Sequence, residues 1–342
     1  MISRVSRLVR YVVMTVVAIG LVVGIKACST PMAQQSGSQS APASSGAAVE
    51  SVNGKPKINI NTAILSELDK LEAKLGVPAL SHKIQASRPY GNTDELVSKQ
   101  VISQEQFNQI KDQVTIAETV LTGEAKDVDY MTKLGLMKGH MIVAGELLAL
   151  NQPKQAEPHL GHPVEEIYVD LEEQLNERQV PAFKETLTRL QDLVKTKPGD
   201  PAIQTEFSAG MAAIDRAIAI LPETQRQAPD FALQVVNGLL ETATAEYTAS
   251  ISDGKVKEAI EYQDAKGFVA YARDRVYKSI APQVTQKDAQ VNKTISSQLE
   301  QLSKAFPTVE PPQAAVLTAD QMAAGVKAIE QAGLPLVTAS AS

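Results

Sequence analysis

The sequence predicts an all-α protein, and three observations lead there. Apolar residues make up 44% of the 342-residue chain while aromatics make up only 4% and tryptophan is absent. The core must therefore be built from Leu, Ile, Val, Ala and Met, a composition that suits helix packing. Past residue 57 the apolar positions recur at helical spacing, and no segment shows a persuasive period of two, so no sheet is expected.

The chain begins with a basic flank, Arg4, Arg7 and Arg10, followed by an apolar run from Tyr11 to Ile25 and then Lys26. That is the layout of a secretory signal, and the run is short for spanning a bilayer, where about 20 residues are usual. Cys28 follows at once and is the sole cysteine, so no intramolecular disulfide can form. Its position resembles a bacterial lipoprotein box, with Ile25 and Ala27 in the pattern and Lys26 where a small residue is normal. The resemblance implies lipidation of Cys28; the alternative is an uncleaved anchor at residues 8–25. Both place the remainder in the bacterial cell envelope, held at the membrane by its N-terminus and facing periplasm or exterior. Residues 1–28 are thus the signal or anchor segment. Residues 29–56, rich in Ser, Ala, Gln, Gly and Pro, read as a disordered linker, since they hold too little apolar area to offset ordering entropy.

Structure starts at residue 57. Asn61 is placed to cap a first helix carrying Ile64, Leu65, Leu68, Leu71 and Leu75, which Gly76 stops. Ala79 to Ala86 makes a second, Thr93 caps a third with Leu96 and Val97, and Ser103-Gln104-Glu105-Gln106 is a capping box opening a fourth. Phe107, Ile110 and Val114 face inward. With Ile58-Asn59-Ile60-Asn61-Thr62-Ala63, Leu75-Gly76-Val77-Pro78-Ala79-Leu80, Lys83-Ile84 and Arg88-Pro89-Tyr90 before Asp94-Glu95-Leu96, residues 57–117 resemble a tandem helix-hairpin-helix domain. The likeness is to the competence DNA-receptor type and to the extrinsic photosystem II subunit U. DNA-binding members use a Gly-hydrophobic-Gly turn whose N–H groups face a phosphate. Here the turn reads Gly76-Val77-Pro78, and proline has no N–H to offer. Lys74, Lys83 and Arg88 bring some positive charge among many acids, and the resemblance then implies a docking module more than a DNA grip.

Residues 125–335 form the larger helical part. Residues 127–150 carry one stripe of Tyr130, Leu134, Met137, Met141, Ala144 and Leu148, and a neighbouring one of Leu136, His140, Val143 and Leu147. Together these make the wide apolar face of a buried bundle helix. Pro163 suits the first turn of a second helix reaching about residue 176. Further helices are expected at about 181–196, 201–220, 229–251, 255–281, 287–305 and 318–333. Breaks fall at Lys197-Pro198-Gly199-Asp200, Leu221-Pro222, Asp253-Gly254, Pro282 and the stretch from Pro307 to Pro312. An up-and-down helical bundle is the architecture this predicts.

The chain has four histidines, and His140, His159 and His162 fall within a short stretch. His159-Leu160-Gly161-His162-Pro163-Val164-Glu165-Glu166 is the densest run of ligand-capable side chains in the sequence. Glu166 lies one helical turn past His162, and His140 meets them if the two helices are antiparallel. Imidazole nitrogen with carboxylate oxygen suits iron, zinc, copper or manganese. The candidate metal set is His140, His159, His162, Glu165 and Glu166; the plain alternative is a core histidine beside a hydrogen-bonded turn. The His-x-x-Glu segment also resembles the imelysin family of iron-linked periplasmic proteins, whose signature is Gly-x-His-x-x-Glu. Gly161 stands directly beside His162, one residue short of that signature.

A second polar cluster lies on the helices expected around residues 241–247 and 258–271: Glu241, Glu246, Tyr247, Glu258, Glu261, Tyr262, Gln263, Asp264 and Tyr271. Di-metal bundles place carboxylates on facing helices, but with paired Glu-x-x-His segments, and no histidine follows His162. These residues therefore read as a solvated face. No GxSxG, Walker loop, dinucleotide glycine pattern, CxxC or CxxCH occurs, which points to a non-enzymatic protein. The four cations of residues 1–27 come without acids, so the exported part carries a net −10 where the whole chain carries −6. A surface that acidic repels phosphate backbones and disfavours nucleic acid as a partner. The expectation is a membrane-anchored envelope protein with a docking module and a transition-metal-binding bundle for iron, copper or zinc, its partners other envelope proteins. The alternatives are a ligand-free interaction scaffold and a DNA-binding receptor.

Overall fold

The computed structural model describes residues 51–52, 55–117 and 121–338. The expectations for Cys28 and for an anchor at residues 8–25 lie outside the described residues. Within the stretch read as a linker, Ser51–Val52 pairs antiparallel with Lys55–Pro56.

Four short helices follow: α1 (Leu65–Leu75), α2 (Leu80–Ala86), α3 (Glu95–Ser98) and α4 (Gln104–Ile110). Gly76 ends α1 in the left-handed region at φ 62, where a Cβ would strain the backbone. Asn61 does not cap α1, which starts four residues later after Ile64. Its amide instead clamps the backbone of Tyr90, donating to the carbonyl at 2.8 Å and accepting from the N–H at 2.7 Å. The capping box forms as expected. Ser103 Oγ accepts from Gln106 N–H at 3.2 Å, and Gln106 Oε1 accepts from Ser103 N–H at 2.8 Å. A parallel pairing of Ile58–Asn59 with Val114–Thr115, not expected from the pattern, ties the two ends of this region together. Ile60, Leu68, Leu71, Leu80, Ile84, Leu96 and Ile110 make its own small core.

The bundle is built around α5 (Gly123–Ala149). Next comes a continuous helical rod: α6 (Pro153–His162), a π turn at Pro163–Ile167, and α7 (Tyr168–Glu177). The helix thus begins ten residues before Pro163. Pro153 occupies the first turn, where a missing N–H costs nothing, and the ring of Pro163 is absorbed by the widened turn. The rest is α8 (Lys184–Thr196), α9 (Ala202–Ile218), α10 (Glu223–Arg226), α11 (Pro229–Ser250) and α12 (Ala259–Tyr271). A second π turn at Ala272–Tyr277 joins α12 to α13 (Lys278–Lys287), so the expected break at Pro282 does not occur. The rod ends instead at Asp288, whose carboxylate caps α14 (Ala289–Ser303) by accepting from Gln290 N–H at 2.8 Å and Val291 N–H at 3.0 Å. Helix α15 (Ala319–Thr338) is the last described element.

Helix α12 is wedged between α5 and α11, α15 covers α11, and α1 lies along α11. Ile64, at the start of α1, joins the core of the bundle rather than that of its own region. Where α12 crosses α5 the backbones touch: a Cβ on Gly267 would stand 2.3 Å from the Gly139 carbonyl oxygen. No helix among the described residues is long and apolar enough to cross a membrane.

Candidate metal centre

The Gly139–Gly267 crossing sets His140 of α5 against Asp264 of α12. His140 Nδ1 lies 2.7 Å from Asp264 Oδ1, and both side chains are buried, at 1% and 2% exposure. The α6 rod brings two more imidazoles. His159 Nδ1 is also 2.7 Å from Asp264 Oδ1, and His162 Nδ1 is 3.5 Å from Asp264 Oδ2. The rings of His140 and His162 meet edge to face with centroids 5.0 Å apart, and Phe268 packs edge-on to His140 at the same distance. One ligand atom from each of His140, His162 and Asp264 lies within 4.8 Å of the others.

The three histidines have different roles. His159 Nε2 is 2.8 Å from Gln263 Oε1, and the Gln263 amide nitrogen points at the Val309 carbonyl at 3.1 Å. That carbonyl only accepts, which fixes the amide orientation and requires an N–H on His159 Nε2. With its other nitrogen on a carboxylate, His159 has no lone pair left for a metal. It buttresses Asp264 instead, as outer-shell groups do around ligating side chains. His140 is the reverse case: Nδ1 is tied to Asp264, while Nε2 is buried and has no hydrogen-bond partner among the described residues. Burial lowers the His140 pKa, so the neutral ring donates through Nδ1 and keeps its lone pair on Nε2. His162 is the more open of the three. Burial works against its charge, but Asp264, Glu166 and Glu261 outweigh that and hold its pKa up at about 9.

Asp264 was read as part of a solvated face, and the structure corrects this. Tyr262, Gln263 and Asp264 are all buried, as are Glu246 and Tyr247 on α11. The reason is the wedged position of α12. Tyr262 donates to the Thr308 carbonyl at 3.1 Å and Tyr247 to that of Leu317 at 2.8 Å, so these polar groups are satisfied inside. The histidines that α11 and α12 lack in sequence arrive from α5 and α6. Burial pushes Asp264 up, yet the imidazoles of His140 and His159 packed on its carboxylate hold it well below the usual carboxylate range.

Of the two glutamates singled out in sequence, Glu165 is exposed and accepts from Gln191 Nε2 at 3.0 Å, outside the cluster. Glu166 faces inward. Its pKa is raised by burial and drawn back by His162. His82, the fourth histidine, is exposed on α2. At the hairpin Gly76-Val77-Pro78, the anion-facing donors are already filled from within. Glu72 accepts from Ala79 N–H at 2.8 Å, Ser81 N–H at 3.1 Å and the Ser81 hydroxyl at 3.1 Å. Lys83 stands exposed beside them.

The titration of the site without metal has a definite sign. His162 sits near 9 when folded against 6.5 ordinarily, so its contribution to stability is complete below about pH 6.5 and lost as pH rises towards 9. Asp69 on α1, raised from 3.8 to about 7 first by burial and then by Glu72, Glu261 and Glu166, likewise favours the folded state only while protonated. Both act in one direction. Above about pH 6.5, where His140 with its lowered pKa is neutral both folded and unfolded, thermal melts of the chelator-treated protein should fall up to about pH 9, and a flat or rising profile there would contradict this electrostatic picture.

Residues 222–338, about a third of the chain, match the model of the iron permease-associated 4-helix bundle domain. The match takes in α10 to α15, hence Glu246, Glu261, Gln263 and Asp264, while all the histidines precede it. No curated protein matches the chain, and no solved structure does. The C-terminal helices are therefore similar to a bundle associated with iron permeases, within a chain whose described residues are helical apart from three short strand pairs.

Proposed function

We propose that this is a non-enzymatic metal-binding protein of the bacterial envelope, holding a transition-metal ion at His140, His162 and Asp264. The observation that carries the proposal is the lone pair of His140 Nε2, buried without a donor beside a converging imidazole and carboxylate. A histidine serving only the core has partners for both nitrogens, as His159 does. Mixed nitrogen and oxygen donors suit iron, copper or zinc, and similarity to an iron permease-associated domain favours iron. In this reading His159 positions Asp264, Glu166 lends charge from the same side, and Glu165 takes no part.

The envelope setting and attachment through residues 8–25 or Cys28 rest on the N-terminal pattern of basic flank, apolar run and cysteine. Residues 57–117 serve as a helix-hairpin-helix docking module for envelope proteins. Glu72 filling the donors of the hairpin turn supports protein docking over DNA capture, because a phosphate would have to displace a bound carboxylate.

Elemental analysis of the full chain, purified without added histidines, tests the centre. We expect close to one iron, copper or zinc per chain, lost in a folded His140→Ala/His162→Ala variant. Metal retained by that variant, or none taken up by the wild type after reconstitution, sinks the reading.

A further inference from the structure

The donor atoms of the centre can be assigned one by one. Asp264 divides its two oxygens. Oδ1 takes the N–H groups of His140 and His159, both at 2.7 Å, and two donors fill its lone pairs. Oδ2 faces His162 Nδ1 at 3.5 Å. That is longer than a charge-assisted hydrogen bond, about 2.7–2.9 Å. It is close to the spacing of two donors on one ion, since metal bonds of about 2.0–2.2 Å set neighbouring donors roughly 3.0–3.4 Å apart. Asp264 Oδ2 and His162 Nδ1 are thus spaced as ligands, and His140 Nε2 brings the third lone pair, buried and without a partner.

The set stops there. Among the described residues no further imidazole, thiolate or carboxylate converges with these three within 4.8 Å. His159 is committed to Asp264 and Gln263, and the Gln263 amide to His159 and the Val309 carbonyl. Zinc sites closed by protein use four donors, and those with three keep a position for a further ligand. Exposure locates the open side. His140 and Asp264 are 1% and 2% exposed, and the wholly buried Phe268 packs on His140. The side chain of His162 is 31% exposed, so solvent reaches the centre from there.

We propose that this centre keeps at least one coordination position open beside His162 and takes a small neutral monodentate ligand there, with water in its place when none is present. The inference rests on the metal-binding reading and adds an exogenous ligand to it. Glu166 and Glu261 act on His162 by charge and oppose an anion on that side, which favours a neutral ligand. An ion held in this way exchanges ligands with solution, as one closed in by four protein donors does not.

Nitric oxide is the probe, being small, neutral and a ligand of Fe(II). The full chain, stripped with chelator and loaded anaerobically with Fe(II), is exposed to nitric oxide and followed by electron paramagnetic resonance. We expect the half-integer-spin signal of an iron nitrosyl, close to one per bound iron and undiminished by excess azide. Fe(II) retained without that signal would mean a closed site and overturn the inference while leaving the metal reading intact. A signal abolished by azide would give the position to an anion and overturn the neutral class. No uptake of Fe(II) overturns the inference as well, and elemental analysis then decides separately whether the metal reading falls. Rescue tests the placement. Added imidazole should restore Fe(II) binding to His162→Ala, whose gap solvent can reach, and not to His140→Ala, whose gap is enclosed. Any other pattern in the folded variants overturns the position beside His162.

Discussion

Gly267→Ala should destabilise the protein by about 2–3 kcal/mol, the larger part of the range for an overpacked core. The added methyl would stand 2.3 Å from the Gly139 carbonyl oxygen and 2.8 Å from its carbon, and backbone atoms in the middle of a long helix cannot step aside. Helix propensity opposes this by only about 1 kcal/mol, so the clash decides the sign. The helices must part, and the separation is felt at once by His140, next to Gly139, and by Asp264, one turn before Gly267. The melting temperature should fall by roughly 5–10 °C, and bound metal should be lost together with stability. Gly210→Ala is the control. A Cβ there meets side-chain carbons of Leu187 at 3.0 Å and Met141 at 3.5 Å, which have rotamers to use. Equal effects from the two substitutions, measured by chemical denaturation, would show that the crossing is not the tight point we describe.

Asp264→Ala should cost about 3–5 kcal/mol, as removing one partner of a buried charged pair does. Two imidazole N–H groups, those of His140 and His159, would lose the acceptor they share at 2.7 Å, with no water-accessible replacement. Asp264→Asn keeps the shape and one carbonyl acceptor, so its cost should be nearer about 1–2 kcal/mol. Metal affinity separates the roles. The amide is a poor ligand and carries no charge, so both variants should lose at least about a hundredfold in affinity although their stabilities differ. Denaturant unfolding beside a metal titration makes the comparison. An asparagine variant with wild-type affinity would reduce Asp264 to a structural acceptor.

Much of the fold could be read locally. The stripe from Tyr130 to Leu148 marked α5 because burial repeats with the helical period, and Ser103 to Gln106 marked the start of α4 because capping involves residues three apart. Proline misled in two places for one reason. Pro163 and Pro282 each lack the N–H of a helix interior, and a rod packed on several sides tolerates that loss through a widened turn or an unpaired carbonyl. The histidines stood out by their density, and the structure gathers all three around one carboxylate.

The sequence by itself determined the helices, the acidic balance, the N-terminal pattern and the cluster of imidazoles, because each depends on neighbours within a turn or two. Which carboxylate meets those imidazoles was decided only in three dimensions. Asp264 lies 124 residues from His140, on a helix whose polar residues look like a solvated face until α5 and α11 close over it. That closure depends on two glycines meeting at one crossing, and glycine spacing within a single helix says nothing about the partner it will touch. The same holds for Glu246, which reads as an ordinary surface acid in its own helix and is buried only by the packing of α1 and α12 against α11.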